Sequence, residues 1–300
     1  MNVFICVCAS NRPSLLNKAL YSLSKINKPN EIFLKIFVID NDIYKRNKQI
    51  ADRYKNNKIF RINYLHESNK GIVFARNKFL SCIRKFNKRI DLIGFVDDDC
   101  VVHKDWLINH IHSLKNKSFK ISTGPQIIKN LPIKEKIFYE LTNKQEKESI
   151  TETKWAATNN VIFDYSILRN QKIKFDKNLN VSGGSDQLFF LKLNKIGHKI
   201  VWNKNSLVYE NKKNKKFDDE WFAKRNLRYG YSGAYMFIEL YGKIVGTIFN
   251  IFKLFYFFYK LNISIVEQNK IKRKYKFKSY IYKINGLFKF YFGKKITKYY

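Results

Sequence analysis

The sequence predicts an α/β protein, with a mainly parallel sheet flanked by helices over residues 1–215 and a helical, basic and aromatic extension over residues 216–300. Three observations carry this. From residue 1 to about 210, short apolar runs rich in β-branched and aromatic residues alternate with helical patterns, as parallel strands joined by crossover helices require. The strongest runs are apolar without alternation, the mark of strands buried on both faces. The basic run Asn211–Lys216 then separates this pattern from a stretch of different character, which places the boundary near 215.

Val3–Ala9 is the first strand, directly behind Met1 and Asn2. It lacks a basic flank and is too short for the apolar core of a signal peptide, so the chain is expected to start in the cytoplasm. Ser14–Ser24 reads as a helix, Leu34–Ile39 as the second buried strand and Ile59–Tyr64 as a shorter one. A helix over Gly71–Phe86 leads to the buried strand Leu92–Val96, and Lys199–Trp202 is a weaker late strand. Lys134–Thr153 is polar and nearly free of strand pattern, so it is expected to be a mobile loop or a short helix near the site. No period of 20–50 residues repeats, which excludes solenoids and propellers.

The formal net charge is +34, from 58 Lys and Arg against 24 Asp and Glu, and it projects a positive field toward nucleic acid, anionic lipid or phosphorylated substrates. Only 11 of the cations are Arg, and Asn, Ile, Phe and Tyr are abundant. An AT-rich coding bias produces the same mixture, so where the charge lies is more informative than its total. Cys6, Cys8, Cys82 and Cys100 form no CxxC pair and have no His at metal spacing, which argues against a disulfide scaffold or structural zinc.

In open α/β sheets ligands bind beyond the carboxyl ends of the strands. Here the first strand ends in Ala9-Ser10-Asn11-Arg12-Pro13, the second in Asp40-Asn41-Asp42 and a third in Asp97-Asp98-Asp99. On an extended segment Asp97 and Asp99 point one way and Asp98 the other. Two carboxylates facing one ligand are costly without a cation, and hard oxygen donors of this kind suit Mg2+ or Mn2+ bridging to a diphosphate. Taken alone, the three aspartates read equally well as a solvated acidic turn or a helix N-cap.

The ordered set of motifs resembles the family 2 glycosyltransferases with the GT-A fold, a Rossmann-like mainly parallel sheet, over roughly residues 1–230. The resemblance rests on Ala9-Ser10-Asn11-Arg12-Pro13, Val38-Ile39-Asp40-Asn41-Asp42, Asn69-Lys70-Gly71 with Ala75-Arg76-Asn77, and Phe95-Val96-Asp97-Asp98-Asp99 with Asp105-Trp106-Leu107. Trp155-Ala156-Ala157-Thr158-Asn159-Asn160 and Gly183-Gly184-Ser185-Asp186 complete it.

The resemblance implies an inverting, nucleotide-sugar-dependent enzyme with Mg2+ or Mn2+ as cofactor. Ser10, Arg12 and Asp40 are then expected to line the base and ribose pocket, with Gly71 and Arg76 bordering the same nucleotide. Asp97 and Asp98 fall on the donor side, Asp97 toward the ribose, and Asp99 is the expected direct metal ligand, with Asp97 beside it. Asp186 is the expected general base, since inverting transfer needs a carboxylate to take the acceptor hydroxyl's proton. Trp155, Asn159, Gly183 and Gly184 are expected to form the wall around the transferred sugar and acceptor.

Each role has a structural alternative: a helix cap or Asx turn for Asp40, a surface ion pair for Arg76, a helix cap for Asp186 and a core position for Trp155. The position before the base is usually acidic in relatives and is Ser185 here. Where many relatives carry a late His near the metal, this chain offers Glu210, equally readable as a ligand or a surface residue. Arg225 and Arg228, three apart on one helix face, are either solvated or aimed at an anion. His198 reads as structural or exposed.

Between Ala234 and Asn262 the chain is strongly apolar. Glu239, Lys243, Thr247, Asn250, Lys253 and Lys260 interrupt it within an arc of about 140° at 100° per residue. A helix lying in the membrane interface fits this geometry, with a spanning helix and packing onto the catalytic domain as the alternatives. Residues 271–300 carry ten Lys or Arg, ten Phe or Tyr and no acid, a mixture suited to an anionic membrane surface. Single-stranded RNA would suit it too, but no RNP, KH or zinc-finger signature accompanies it, so nucleic acid is disfavoured as a partner. An inactive membrane scaffold keeping the fold is opposed by the presence of both Asp99 and Asp186.

The expected function is transfer of a sugar from a nucleotide diphosphate, UDP before GDP or dTDP, to a saccharide or lipid-linked acceptor. The expected setting is the cytoplasmic face of the cell membrane, in cell-surface polysaccharide or lipopolysaccharide synthesis.

Overall fold

A computed structural model describes residues 1–87, 89–128, 131–142, 150–169, 173–210 and 217–294. The chain opens with β1 (Asn2–Ala9), α1 (Pro13–Leu23), β2 (Phe33–Asp40), α2 (Lys48–Asp52), β3 (Arg61–His66), α3 (Ile72–Arg84) and β4 (Leu92–Asp97). There follow β5 (Cys100–Val102), α4 (Trp106–Lys115), β6 (Phe119–Thr123), β7 (Gln126–Ile127), α5 (Ile133–Thr142), β8 (Thr151–Thr153) and β9 (Asn160–Asp164). The remainder is α6 (Ser166–Arg169), α7 (Ser185–Lys195), β10 (Lys199–Trp202), β11 (Val208–Glu210), α8 (Asp219–Tyr241), α9 (Lys243–Ile263) and α10 (Lys270–Tyr291).

Eight strands form one sheet in the order β3-β2-β1-β4-β9-β6-β10-β8. The β3-β2-β1-β4 half is parallel, and β9 runs antiparallel to both β4 and β6. Strand alternation sorts β1 onto two cores. Phe4, Cys6 and Cys8 join Val73, Phe79 and Ile83 of α3 and Phe189 and Phe190 of α7 on one face. Val3, Ile5 and Val7 join Leu16 and Leu20 of α1 and Trp106 and Leu107 of α4 on the other. Helices thus cover both faces, which is why the strand carries no polar alternation. All four cysteines are free.

The chain packs as two compact units: Met1–Lys129, Gln145–Lys177 and Ser185–Lys213 in the first, and Asn130–Lys144, Asn178–Gly184 and Asn214–Tyr300 in the second. The polar stretch Lys134–Thr153 contributes α5 to the second unit and β8 to the edge of the sheet, and its residues 143–149 lie outside the described residues. The basic run Asn211–Lys216 also lies outside them.

In the second unit α8 and α10 cross with their backbones in contact, because a Cβ on Gly230 would overlap the Lys283 carbonyl oxygen and one on Gly286 that of Leu227. Beside the crossing, Ser279 Oγ donates to Asn226 Oδ1 at 2.7 Å. Phe138 of α5 packs between Phe222 of α8 and Tyr275 of α10, with ring centroids at 4.6 and 4.4 Å. The apolar stretch expected as one helix over Ala234–Asn262 is broken at Gly242, whose φ of 81° ends α8 and starts α9.

Candidate active site

The parallel register sets Ala9 beside Asp40, Cys8 beside Asp97 and Asp40 beside His66, so β1, β2, β3 and β4 present their ends along one edge. At the β1 end Asn11 takes a left-handed φ of 50°, and Arg12 follows it, leading into Pro13 and α1. Arg12 Nε and Nη2 donate to the two oxygens of Asp98 at 3.2 and 2.5 Å, and Nη1 donates to Asp99 Oδ2 at 3.2 Å. The alternation expected of the three aspartates stops at Asp97, because β4 ends there and Asp98 and Asp99 form the turn into β5. Asp98 and Asp99 therefore share Arg12, while Asp97, 34% exposed, faces Arg76.

Burial pushes the Asp98 carboxyl up to about 7. Arg12 and the Ser10 backbone N–H pull it down, while Asp99 and Asp97 push it further up. Arg12 thus does not offset the full cost of burying Asp98 beside two further carboxylates. Among the described residues no three His, Cys, Asp or Glu side chains form a metal cage. The donor chemistry still fits a hard cation: Asp97 and Asp99 offer carboxylate oxygens, and Mg2+ or Mn2+ takes one or two of these and completes its shell with phosphate oxygens and water.

Arg76 of α3 is buried rather than on the surface. Its Nη2 lies 3.9 Å from Asp97 Oδ1, its Nη1 donates to Ser185 Oγ at 3.2 Å, and its guanidinium sits 5.5 Å from the Phe175 ring centre. It ties the end of β4 to the first residue of α7. Asp186 follows in that first turn, partly exposed, and among the described residues nothing is hydrogen-bonded or ion-paired to its carboxylate. A carboxylate with no such partner among the described residues is open to a hydrogen bond from a bound hydroxyl.

Asp40 is fully buried and forms an Asx turn, accepting from the Asp42 backbone N–H at 3.0 Å, from Asn47 Nδ2 at 2.7 Å and from Tyr64 Oη at 2.8 Å. Burial and the bond to Asp40 raise the Tyr64 phenol well above its ordinary value. Ser10 Oγ donates to the Asn41 carbonyl at 3.2 Å. The Asn41 side chain accepts from the Gly71 N–H at 2.6 Å and donates to the Glu67 and Asn69 carbonyls. One Asn thereby links the β2 end to the start of α3.

Asn159 Nδ2 donates to Gln126 Oε1, and Gln126 Nε2 donates to Glu210 Oε2. Glu210 pairs with Cys100 across β11 and β5, so it lies beside the acidic turn in a three-stranded sheet ordered β5-β11-β7. Trp155 is half-buried between β8 and β9. Gly183 and Gly184 belong to the second unit and take φ of 72° and 88°. A Cβ on either would run into Arg228 or Met236 of α8. Arg228 is thus engaged against Gly183, and Arg225 stacks over Trp221 and Tyr229 at 5.2 and 5.4 Å.

Sequence reasoning missed a buried network beneath the site. Asn160 Oδ1 accepts from Trp106 Nε1 at 2.8 Å and lies 2.9 Å from His110 Nε2. Asn160 Nδ2 donates to the Pro125 and Ser206 carbonyls at 3.0 and 2.7 Å, and His110 Nδ1 lies 2.8 Å from Ser122 Oγ. Burial pulls the His110 imidazole down to about 4. The available signal was the i, i+4 spacing of Trp106 and His110, two polar-tipped rings on one helix face.

Residues 4–183 match the sequence model described as "Glycosyl transferase family 2". The chain is 26% identical over 244 residues to the succinoglycan biosynthesis protein ExoM of Rhizobium meliloti (strain 1021), a match covering 80% of this chain and 76% of that protein. Among solved structures it is similar to the mannosyltransferase PcManGT from Pyrobaculum calidifontis in complex with GDP-Man and Mn2+. The TM-score is 0.65 and the identity 13%, over 98% of this chain and 88% of that one. It is also similar to S. aureus TarS 1-349 in complex with UDP-GlcNAc, with TM-score 0.56 and identity 14%, over 98% of this chain and 93% of that one. These likenesses show the GT-A fold that the motifs imply.

Proposed function

The chain belongs to glycosyl transferase family 2, and from that premise we propose that it moves a sugar from a nucleotide diphosphate donor to a saccharide or lipid-linked acceptor with inversion. The observation that carries this is the edge where Arg12 holds Asp98 and Asp99 while Arg76 links Asp97 to the start of α7, one residue before Asp186. The solved relatives with GDP-Man and Mn2+ and with UDP-GlcNAc support a nucleotide-sugar donor and a divalent cation. The likeness to a succinoglycan biosynthesis protein supports a place in polysaccharide assembly, and the cytoplasmic face of the cell membrane is the setting we propose for it.

In this reading Asp99 and Asp97 hold Mg2+ or Mn2+, which when bound supplies Lewis-acid stabilisation of a departing nucleoside diphosphate. Asp97 orients the ribose, and Ser10, Asp40, Gly71 and Arg76 border the nucleotide, Asp40 chiefly by fixing the loop after β2. Arg12 keeps Asp98 and Asp99 in one geometry and adds a cation at the diphosphate edge. Asp186 takes the acceptor hydroxyl's proton as its oxygen attacks the anomeric carbon from the face opposite the leaving diphosphate. Trp155 and Asn159 shape the sugar and acceptor side. A screen of UDP-, GDP- and dTDP-sugars with purified protein and Mn2+, reading nucleotide release, tests the proposal; release from none of them overturns it.

A further inference from the structure

Helix α9 is built inside out. A helix of a water-soluble domain buries its apolar face and leaves the polar one in water. Here the residues buried against the rest of the second unit are Gly246, Asn250 and Phe257. Ile244, Ile248, Ile251, Phe252, Phe255 and Tyr259 face outward, with Phe252 and Phe255 each 66% exposed.

The middle of the polar stripe points inward, while Lys243 at its start is exposed. Asn250 Nδ2 donates to the Ala234 carbonyl of α8 at 3.1 Å and to Tyr291 Oη of α10 at 3.0 Å. Lys253, the one cation between Lys243 and Lys260, turns its ammonium between Phe237 of α8 and Phe257, 5.1 and 5.7 Å from their ring centres. Burial there pulls its pKa down to about 8. The outer face is thus uncharged over this length and has more exposed apolar surface than single scattered residues account for.

Beyond α9 the charge changes. Ile265 and Val266 are exposed at 56% and 77%, and a cleft of about 440 Å³ is lined by Ile265, Lys270, Arg273, Lys274, Phe277 and Lys278. An apolar wall beside four cations fits a phosphate headgroup whose acyl chains run along α9.

Length alone permits α9 to span a bilayer, since Lys243–Val266 is long and apolar enough. Its packing opposes that. α10 lies against α9, and the Lys and Arg residues along it would be carried into the hydrocarbon. A second copy of the chain is disfavoured as cover by repulsion between molecules of net charge +34.

We infer that α9 lies in the plane of one leaflet of an anionic membrane, with Phe252 and Phe255 toward the acyl chains and the cleft at Lys270, Arg273, Lys274 and Lys278 on a lipid phosphate. This deepens the membrane setting proposed above and is independent of the donor chemistry.

Flotation of the full chain with phosphatidylcholine vesicles, with and without phosphatidylglycerol, tests it, with nucleotide-sugar binding measured in parallel. Wild type floats with the anionic vesicles and roughly tenfold less with the neutral ones. Phe252→Glu/Phe255→Glu loses flotation on both, and Lys270→Gln/Arg273→Gln/Lys274→Gln loses the preference for the anionic lipid, while both keep wild-type donor binding and gel-filtration behaviour. Failure of wild type to float overturns the inference, as does flotation unchanged by the Phe substitutions. Resistance to alkaline carbonate extraction, the mark of a spanning helix, overturns it too. So does a wild-type dimer that the Phe substitutions convert to monomer without any vesicle binding. Loss of donor binding in wild type bears on the glycosyl transfer reading alone.

Discussion

Arg12 grips Asp98 through two parallel bonds, Nη2 to Oδ1 at 2.5 Å and Nε to Oδ2 at 3.2 Å, and so pairs the exposed end of the β1 loop with a fully buried carboxylate. The fork geometry is available to a guanidinium and not to an ammonium.

Arg12→Ala strands the Asp98 carboxylate. Breaking a fully buried pair costs about 3–5 kcal/mol, but Arg12 is 41% exposed, so the expected loss is about 2 kcal/mol. Asp98→Asn in the Arg12→Ala background recovers part of it, because a neutral amide needs no cation. Urea denaturation of the wild type and both variants checks the order.

The His110 imidazole titrates near 4 in the folded protein, against 6.5 ordinarily, so between those values the unfolded chain binds the extra proton. Its contribution to stability is full above about pH 6.5 and declines as pH falls toward 4, by up to about 3 kcal/mol. His110→Gln takes up no proton there and flattens that part of the profile. Urea midpoints at neutral pH and at about pH 4.5, compared between wild type and variant, measure the difference.

The parts legible in the sequence were those governed by local pattern. The runs Val3–Ala9, Leu34–Ile39 and Leu92–Val96 are apolar throughout because helices cover both faces of β1, β2 and β4, and the polar residues behind them line one edge. Non-local pairing hid the rest. β9 inserts antiparallel between β4 and β6, and strands of two or three residues such as β5, β7 and β11 are too short to show a period. The turn at Asp98 changes which carboxylates share a partner, and the break at Gly242 starts a new helix whose Asn250 and Lys253 turn to α8. Asn178–Gly184 joins the second unit although it lies inside the first in sequence.

Arg76→Met removes the link between Asp97 and Ser185 and lets the start of α7 drift from the acidic turn. A displacement of about 1 Å at reacting groups costs up to about 100-fold in rate, so kcat/KM is expected to fall by about 10- to 100-fold. Arg76→Lys retains the charge but reaches one partner only, giving an intermediate value. Initial rates over a range of donor concentrations separate kcat from KM.

Asp186→Asn keeps the shape of the α7 start and removes the proton acceptor. Transfer is expected to fall by about 10²- to 10⁴-fold with donor affinity unchanged. Equal loss of both, measured by rates and by binding, assigns Asp186 to the donor instead.

The claim that the Asp97-Asp98-Asp99 turn holds a nucleotide donor through a divalent cation is tested most directly by calorimetric titration. The protein is titrated with the nucleotide sugar found in the donor screen, with and without Mn2+, as wild type and as Asp99→Asn. Binding that needs Mn2+ in the wild type and is lost in Asp99→Asn is the predicted result; metal-dependent binding that survives in Asp99→Asn contradicts it.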